Sequence, residues 1–355
     1  MTFAFIAGGL LLLLFGAEWL VRGAASLAAS AGVSPLVIGL TVVAFGTSAP
    51  ELAVSIGAAV RGDAGIAGGN VGGSNIVNVW VILGTAALIT PLVVDVRMVR
   101  IEVPVMVAVS VLLVGLSWDG LLTRVDAAVL LTGLAGYLAY MIRSSGADDG
   151  DGIEAPSDDA SATSKRGGRW ADAGRVAGGL VLLVVGSGWF VDGARRLAES
   201  LGVSELVIGL TIVAAGTSLP ELATSIVAAR RGERDIAVGN VVGSNVFNVL
   251  AIMGVTAVLP SHGVAVEASA RGFDLPVMVL AAVVCLPVFA SGRRISRWEG
   301  ALFVALYAAY ATVLGLRATG HPLRAPVEAG LLWVGVPVAA GIVAAGFLRR
   351  PPSGQ

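Results

Sequence analysis

A threonine, a serine and a glutamate lie close together in the segment GLTVVAFGTSAPEL, which runs from Gly39 to Leu52. Thr47 and Ser48 precede Glu51 by four and three residues, so a continuous helix would present all three side chains on one face. Each of them offers oxygen atoms. The spacing therefore predicts a small cluster of oxygen ligands inside an otherwise apolar segment.

The same chemistry appears again in GLTIVAAGTSLPEL, from Gly209 to Leu222. The equivalent side chains are those of Thr217, Ser218 and Glu221. In both copies a proline precedes the glutamate, and a proline has no N–H and crowds the carbonyl group four residues before it. We therefore expect two broken helices with backbone carbonyls free to accept from a ligand. The carbonyls concerned are those of Ala44, Gly46, Ala214 and Gly216.

A second polar pattern follows each copy, GGNVGGSNIVNV from Gly68 and VGNVVGSNVFNV from Val238. Polar residues recur every four positions and predict one polar stripe on each helix. The stripes consist of Asn70, Ser74 and Asn78 in the first half and Asn240, Ser244 and Asn248 in the second. Asn70 and Asn240 are expected to bond neighbouring helices more than an ion, and the same holds for Asn75 and Asn245, one position off the stripes.

Together these segments offer carboxylates, hydroxyls, amides and carbonyls, and all of these groups are oxygen donors. Such a set suits a hard cation, because Ca²⁺ takes about 6–8 oxygen ligands, whereas zinc and copper prefer His or Cys. His262 and His321 lie far from both motifs in the sequence, and Cys285 stands alone in an apolar run. The composition of the motifs therefore predicts a site for a hard cation.

The alternative is that these polar residues only join helices by hydrogen bonds, which would explain isolated serines, threonines and asparagines. It does not explain the glutamates. A charged residue at the centre of a spanning helix costs about 2.5–3.5 kcal/mol on insertion scales. Glu51 and Glu221 therefore need a function that compensates for this cost.

The surrounding sequence is that of a membrane protein, with 56% hydrophobic and 13% charged residues in a chain of 355. An apolar run of about 18 residues or more is long enough to cross a bilayer as a helix. We count eleven candidate runs: Phe3–Leu20, Pro35–Val60, Ile66–Ile89, Val103–Leu116, Ala127–Ile142, Ala173–Val191, Glu205–Ala229, Ile236–Leu259, Leu275–Ala290, Gly300–Leu316 and Val327–Phe347. The predicted fold class is an all-α polytopic membrane protein.

The chain contains an internal repeat. Residues 39–84 match residues 209–254 at a constant offset of 170, and most positions are identical. Each half holds five apolar runs, and an odd number of helices turns the second copy upside down in the membrane. Two inverted five-helix repeats, ten helices in all, are typical of transporters with a site near the midplane. The eleventh, C-terminal run lies outside the repeat.

These patterns divide the chain into four parts: a first repeat at 1–143, a linker at 144–170, a second repeat at 171–318, and an extra C-terminal helix with its tail at 319–355. The linker is rich in Asp, Ser and Gly and is expected to be disordered and cytoplasmic. If the N-terminus is outside and the C-terminus inside, most of the 23 basic residues lie on the cytoplasmic side, as the positive-inside rule requires.

Several classes of function are disfavoured. A formal net charge of −1 with no basic stripe argues against a nucleic-acid partner. No nucleophile and base form a recognisable pair, so the sequence does not indicate an enzyme. No cofactor is expected, and no segment indicates an obligatory protein partner. The expected partners are the transported ions and the lipid bilayer.

The motifs GTSAPE and GTSLPE, each followed by GN-x-x-GSN-x-x-N, resemble those of the cation/Ca²⁺ exchanger superfamily, in particular its prokaryotic Na⁺/Ca²⁺ exchanger branch. The resemblance covers about ten helices. It implies cation ligands at Glu51, Thr47, Ser48, Ser74 and Asn78, at Glu221, Thr217, Ser218, Ser244 and Asn248, and at the carbonyls of Ala44 and Ala214. It also implies that Na⁺ and Ca²⁺ compete for overlapping sites while the helices that begin near Phe3 and Ala173 slide across a fixed core.

One departure concerns the charge of the site. Related exchangers often have Asp at a position equivalent to Asn78 or Asn248, whereas both are Asn here. The expected site therefore carries two formal charges, which leaves the coupling ion and the stoichiometry open.

The expected function is a cation antiporter of the plasma or inner membrane that uses an inward Na⁺ gradient to export Ca²⁺. The alternatives are a proton-coupled exchanger of Ca²⁺ or of another cation such as Mg²⁺, Mn²⁺ or K⁺, and a cation channel that uses the same oxygen groups.

Overall fold

The computed structural model describes residues 2–61, 64–144, 168–201 and 214–335, together with 337 and 341. These residues form helices joined by turns and very short strands. The first half consists of α1 (Thr2–Ala31), α2 (Pro35–Thr47), α3 (Ala49–Arg61), α4 (the consecutive segments Ala64–Val77, Asn78–Leu83 and Gly84–Ile89), β1 (Leu92–Val93), α5 (Met98–Leu116), β2 (Leu121–Leu122) and α6 (Arg124–Ser144).

The remaining elements are α7 (Gly168–Ser200), α8 (Ala214–Gly216), α9 (Leu219–Arg231), α10 (Arg234–Val258), β3 (Val264–Ala265), α11 (Ala270–Ala290), β4 (Arg294–Ile295), α12 (Arg297–Ala318) and α13 (Arg324–Gly330). A π-helical turn, Leu331–Gly335, continues α13.

Among the described residues, eight helices are by themselves long and apolar enough to cross a membrane: α1, α4, α5, α6, α7, α10, α11 and α12. The pair α2 and α3, bent by 43°, forms a ninth candidate. A polytopic helical membrane protein is therefore confirmed. The runs predicted at Glu205–Ala229 and Val327–Phe347 lie partly outside the described residues, as does nearly all of the 144–170 linker, so the total of ten spanning helices plus one stays a prediction.

The helix break predicted beside Pro50 lies between α2 and α3. Ser48 has φ −79° and ψ 8°, which ends α2 at Thr47, and α3 begins one residue later. Because Pro50 has no N–H, it cannot donate to the Gly46 carbonyl as a continuous helix would require. Thr47 therefore ends one helix and Glu51 lies in the first turn of the next, as expected for a broken helix.

The polar-stripe helices α4 and α10 form the centre of the protein. In α10, 89% of the spanning residues are buried, and in α4 67% are, compared with 22% in α6 and in α12. Small residues permit this close packing: a Cβ atom at Gly243 would lie only 2.6 Å from the carbonyl oxygen of Leu40 on α2. The helices that carry the repeated polar pattern are thus the most deeply buried of the candidate spanning helices.

Several helices begin earlier than the apolar runs predicted, α5 and α11 among them. α5 starts at Met98 instead of Val103, and α11 at Ala270 instead of Leu275. A charged residue, Glu102 or Asp274, precedes each predicted run, but in the structure both residues lie within the helix and have hydrogen-bond partners. Glu102 accepts hydrogen bonds from Arg97 (2.9 Å) and Tyr137 (3.0 Å), and Asp274 accepts one from Tyr310 (2.9 Å).

Two short antiparallel pairings join the halves. In β1 and β4, Leu92 pairs with Ile295, and in β2 and β3, Leu121 pairs with Ala265. We call the two extremities of the protein the β1–β4 end and the β2–β3 end. Arg124 at the start of α6 donates to the Val258 carbonyl and therefore lies at the β2–β3 end.

The long helices α1 and α7 pack against each other along a ladder of glycines spaced by seven residues. The ladder consists of Gly9, Gly16 and Gly23 on α1 and Gly179, Gly186 and Gly193 on α7. A Cβ atom at Gly179 would lie 2.7 Å from the Gly16 carbonyl oxygen, and one at Gly186 2.9 Å from that of Gly9. Such backbone contact is possible only with small residues. The two helices therefore form one tightly packed unit.

The segment after α12 is attached to the rest of the protein. Arg317 near the end of α12 forms an ion pair of 2.6 Å with Glu328 on α13 and lies over the ring of Phe273 on α11. Leu331 is 6% exposed. The described start of the C-terminal segment thus packs on α11 and α12.

Candidate metal centre

The two motif serines pair crosswise with the two glutamates. Ser48 Oγ donates to Glu221 Oε1 over 3.0 Å, and Ser218 Oγ donates to Glu51 Oε1 over 3.0 Å. All four side chains are at most 3% exposed. Each half therefore supplies the hydroxyl that orients the carboxylate of the other half, and the two motifs meet at one place.

The motif threonines lie beside the same carboxylates. Thr217 lies close to Glu51, and Thr47 lies close to Glu221. The Thr47 hydroxyl also lies 3.0 Å from Asn240 Oδ1 and 3.1 Å from the Val43 carbonyl oxygen. The threonines thus join the cluster from the ends of the broken helices.

Asn75 and Asn245 hold α4 and α10 together at the centre. Asn75 Nδ2 donates to the Asn245 carbonyl over 3.3 Å, and Asn245 Nδ2 donates to the Asn75 carbonyl over 3.4 Å. These reciprocal bonds agree with the expectation that the two asparagines satisfy the backbone of a neighbouring helix.

The side-chain oxygens of the same two asparagines orient the last residues of the stripes. Asn245 Oδ1 accepts from Asn78 Nδ2 over 3.0 Å, and Asn75 Oδ1 accepts from Asn248 Nδ2 over 2.9 Å. Because the amide nitrogens of Asn78 and Asn248 are used in this way, their oxygens remain available for another partner. Sequence reasoning did not assign Asn75 and Asn245 this positioning contact.

The first residues of the stripes have a different environment. Asn70 Nδ2 donates to the Glu51 carbonyl (3.1 Å) and to Ser55 Oγ (3.0 Å). Asn240 Nδ2 donates in the same way to the Glu221 carbonyl (3.3 Å) and to Ser225 Oγ (3.0 Å). As expected, both asparagines bond neighbouring helices. The sequence analysis did not identify Ser55 and Ser225 as partners of these asparagines. Each follows its glutamate by four residues and so lies one helical turn further along the same helix face.

The carbonyl of Ala44 is not free. It accepts the backbone N–H of Ser48 over 3.1 Å and the hydroxyl of Ser244 over 3.4 Å. The last turn of α2 stays helical up to Thr47, so this carbonyl would bind an ion only by releasing one of these donors. The Gly216 carbonyl likewise accepts from Ser187 on α7 over 2.6 Å. Ala214 begins α8, the described end of the second broken helix.

Five buried oxygens of the predicted ligands have no hydrogen-bond partner within the described residues. They are Glu51 Oε2, Glu221 Oε2, Ser74 Oγ, Asn78 Oδ1 and Asn248 Oδ1. Buried polar atoms are nearly always paired, since leaving one unpaired costs about 1–3 kcal/mol. Only nine such side-chain atoms occur in the described part of the chain, so the predicted site holds more than half of them.

The charges of the cluster also indicate a site for a cation. None of the ion pairs among the described residues includes Glu51 or Glu221. Two buried carboxylates without a cationic side chain need another source of positive charge. No group of three or more His, Cys, Asp or Glu residues occurs in the described part of the chain. The site is therefore built from two carboxylates and neutral oxygen groups, which suits a hard cation.

Comparison with known proteins identifies the family to which this chain belongs. The family model for the sodium/calcium exchanger protein matches residues 1–143 and 173–316. The chain belongs to the sodium/calcium exchanger family. It is a multi-pass membrane transporter, and its relatives are exchangers and not enzymes.

Individual relatives support this assignment. The sodium/calcium exchanger MaX1 of Methanosarcina acetivorans is 34% identical over 345 residues, covering 88% of this chain and 98% of its own. The inner membrane protein YrbG of Escherichia coli is 38% identical over 282 residues, covering 79% and 86%. A structure of the sodium-calcium exchanger NCX_Mj soaked with 10 mM Na⁺ is similar with a TM-score of 0.75 and 33% identity, covering 88% of this chain and 98% of that one.

Proposed function

We propose that this protein is a secondary-active antiporter in which Na⁺ entry drives Ca²⁺ export through one buried site. The site would be formed by the side chains of Glu51, Glu221, Thr47, Ser48, Thr217, Ser218, Ser74, Asn78, Ser244 and Asn248, with the carbonyls of Ala44 and Ala214. Family membership and the similarity to NCX_Mj support Na⁺ and Ca²⁺ as the exchanged ions.

The observation that carries the proposal is the set of five unpartnered buried oxygens around the crosswise Ser–Glu pairs. A bound Ca²⁺ would satisfy these atoms and neutralise two carboxylates at once. Two monovalent ions at overlapping positions would be needed to neutralise the same two carboxylates, one charge at a time. Because both kinds of occupant need the same oxygens, they would exclude each other, and such exclusion is the basis of exchange.

We further propose that the chain forms two inverted five-helix repeats with the N-terminus outside. The paired contacts of the halves support this arrangement. Tyr137 donates to Glu102 as Tyr310 does to Asp274, and β1 pairs with β4 as β2 pairs with β3. In alternating access, α1 and α7 would move together past the core, since the glycine ladder joins them.

A proton-coupled exchanger is the second candidate, and the asparagines at positions 78 and 248 favour it specifically. Two carboxylates can accept two protons, which balances the charge of one Ca²⁺ without Na⁺. Both candidates use the same site and differ only in the ion that Ca²⁺ replaces.

Counterflow tests exchange itself and separates it from channel conduction. Purified protein in liposomes loaded with unlabelled Ca²⁺ should accumulate external ⁴⁵Ca²⁺ transiently, above the level in liposomes without internal Ca²⁺. Saturable accumulation of this kind is the expected result. Flux that rises linearly with Ca²⁺ and shows no counterflow would contradict an antiporter and favour a channel.

A further inference from the structure

An apolar groove lies on the outer surface of the helix bundle, between α5, α11 and the segment that follows α13. Its volume is about 550 Å³, within the range of about 300–1,000 Å³ typical of small-molecule sites. Val111 lines it from α5, Pro276 and Val279 line it from α11, and Leu332 and Trp333 form the third wall. That third wall lies beyond residue 316, where the match to the family model ends.

A second cavity of about 420 Å³ adjoins this groove at the β2–β3 end. Val114 and Gly272 line both cavities, so the two lie side by side. The second cavity is also lined by Arg271 and by Trp118, which is 79% exposed. Tryptophan is enriched at the level of lipid headgroups. The groove therefore extends from that level toward the bilayer centre.

Arg271 is held in place but keeps donors available. Its Nη1 donates to the Trp118 carbonyl over 2.8 Å, and its Nε donates to the Val266 carbonyl over 3.2 Å. A guanidinium has five N–H donors, and an Arg often binds phosphate through two of them at once. None of the ion pairs among the described residues includes Arg271.

The exposed carboxylates nearest in sequence are engaged elsewhere. Asp119 accepts the backbone N–H of Leu121 over 3.0 Å, and Glu267 accepts from Ser269 over 3.1 Å. The positive charge of Arg271 is thus left facing the second cavity, directly above an apolar groove. This combination of charge and apolar surface is complementary to an amphiphile with an anionic head.

We propose that the groove binds one anionic phospholipid. Arg271 contacts the phosphate, Trp118 lies at headgroup level, and an acyl chain occupies the groove between α5, α11 and the segment after α13. The C-terminal segment, which lies outside the family match, therefore completes a lipid site. The site is separate from the buried cation site, and the proposal does not depend on which ions are exchanged.

Native mass spectrometry of the full-length protein, titrated with dioctanoyl phosphatidylglycerol and with dioctanoyl phosphatidylcholine, tests this proposal. A basic residue near a membrane surface strengthens anionic lipid binding by about fivefold. We expect the wild type to bind phosphatidylglycerol at least about fivefold more tightly than phosphatidylcholine, and Arg271→Ala to lose this preference. Arg124→Ala is the matched control, since Arg124 lies at the same end, donates to a carbonyl and lines neither cavity.

The acyl-chain part of the site has its own variant. A Cβ atom at Gly272 would meet nothing within 4 Å, so Gly272→Leu places a bulky side chain at the junction of the two cavities. We expect this variant to weaken the binding of both lipids, whereas Gly315→Leu, at an equally open position on α12, should leave binding unchanged. Equal binding of the two lipids by the wild type, or wild-type binding by either Arg271→Ala or Gly272→Leu, would overturn the proposal.

Discussion

Ser48 donates a hydrogen bond of 3.0 Å to Glu221, a residue 173 positions further along the chain, although Glu51 lies only three residues away. Ser218 makes the reciprocal bond to Glu51. The carboxylate of each half is therefore oriented by the other half, and neither half contains a complete site. The proposed site would therefore lie at the contact between the halves, where a relative movement would change its geometry.

The charge of the two glutamates is the property we expect transport to need. Glu51→Gln or Glu221→Gln keeps the size of the side chain and its acceptor oxygen but removes one of the two negative charges. We expect Ca²⁺ flux to fall to background in each variant while the thermal unfolding temperature stays close to that of the wild type. Proteoliposome flux and thermal unfolding of the same preparations measure both properties.

Glu267→Gln is the control for these variants, because Glu267 is an exposed carboxylate at the β2–β3 end. It should transport Ca²⁺ like the wild type. Substantial Ca²⁺ flux in both Glu51→Gln and Glu221→Gln would remove the basis of the site assignment.

The crosswise serine contacts predict that removing either serine hydroxyl weakens Ca²⁺ binding by a similar amount. A hydrogen bond to a charged group contributes about 1.5–3 kcal/mol, so Ser48→Ala and Ser218→Ala should each raise the Ca²⁺ concentration for half-maximal flux by about tenfold or more. The two effects should be similar, because both bonds are 3.0 Å long.

A control hydroxyl is available on α6, where Thr132 is exposed and donates to a carbonyl of its own helix. Thr132→Ala should leave the Ca²⁺ dependence unchanged. If Ser48→Ala and Ser218→Ala also leave it unchanged, the serines do not orient the carboxylates that bind the ion.

Protons should inhibit transport. A carboxylate must be ionised to bind a cation, so lowering the pH equally on both sides of the membrane favours protonated Glu51 and Glu221 and reduces Ca²⁺ flux. Because protons and Ca²⁺ compete for the same oxygens, a higher Ca²⁺ concentration should restore the flux. Initial rates of ⁴⁵Ca²⁺ uptake measured at several pH values and Ca²⁺ concentrations test this. Inhibition that Ca²⁺ does not relieve, or flux that rises as the pH falls, would be inconsistent with the proposed site.

The glycine ladder predicts a position-dependent effect of one methyl group. At Gly179 the added Cβ atom would lie 2.7 Å from backbone atoms of Gly16 and Leu20, whereas at Gly188 on the same helix it would meet nothing within 4 Å. Overpacking typically costs about 1–3 kcal/mol, so Gly179→Ala should lower the thermal unfolding temperature. Gly188→Ala should leave it unchanged or raise it slightly, since alanine favours helix more than glycine. Equal effects at the two positions would show that α1 and α7 are not in close contact.

The sequence alone was sufficient to single out Glu51 and Glu221 as candidates, because a carboxylate in an apolar segment is costly and the repeated motif contains one in each half. The family resemblance was confirmed. The helix break at Pro50 could also be predicted, since it follows from the missing N–H of proline.

Other features depend on how distant segments meet and could not be predicted from local spacing. The spacing of Ser48 and Glu51 indicated a contact within one half, but each bonds to the opposite half. The beginning of α5 was placed too late because Arg100 and Glu102 interrupt the apolar run. Only the tertiary structure shows that Arg97 neutralises Glu102 and that Tyr137 donates a hydrogen bond to it. The glycine ladder had a visible signal, its seven-residue spacing.

The most direct measurement of the central claim is ⁴⁵Ca²⁺ uptake into proteoliposomes loaded with Na⁺, compared with liposomes loaded with K⁺ and with liposomes that carry only an outward proton gradient. The proposed function predicts uptake with internal Na⁺ alone, and loss of that uptake in Glu51→Gln. Uptake driven by the proton gradient alone, with no response to internal Na⁺, would contradict Na⁺ coupling and assign the same site to a proton-coupled exchanger.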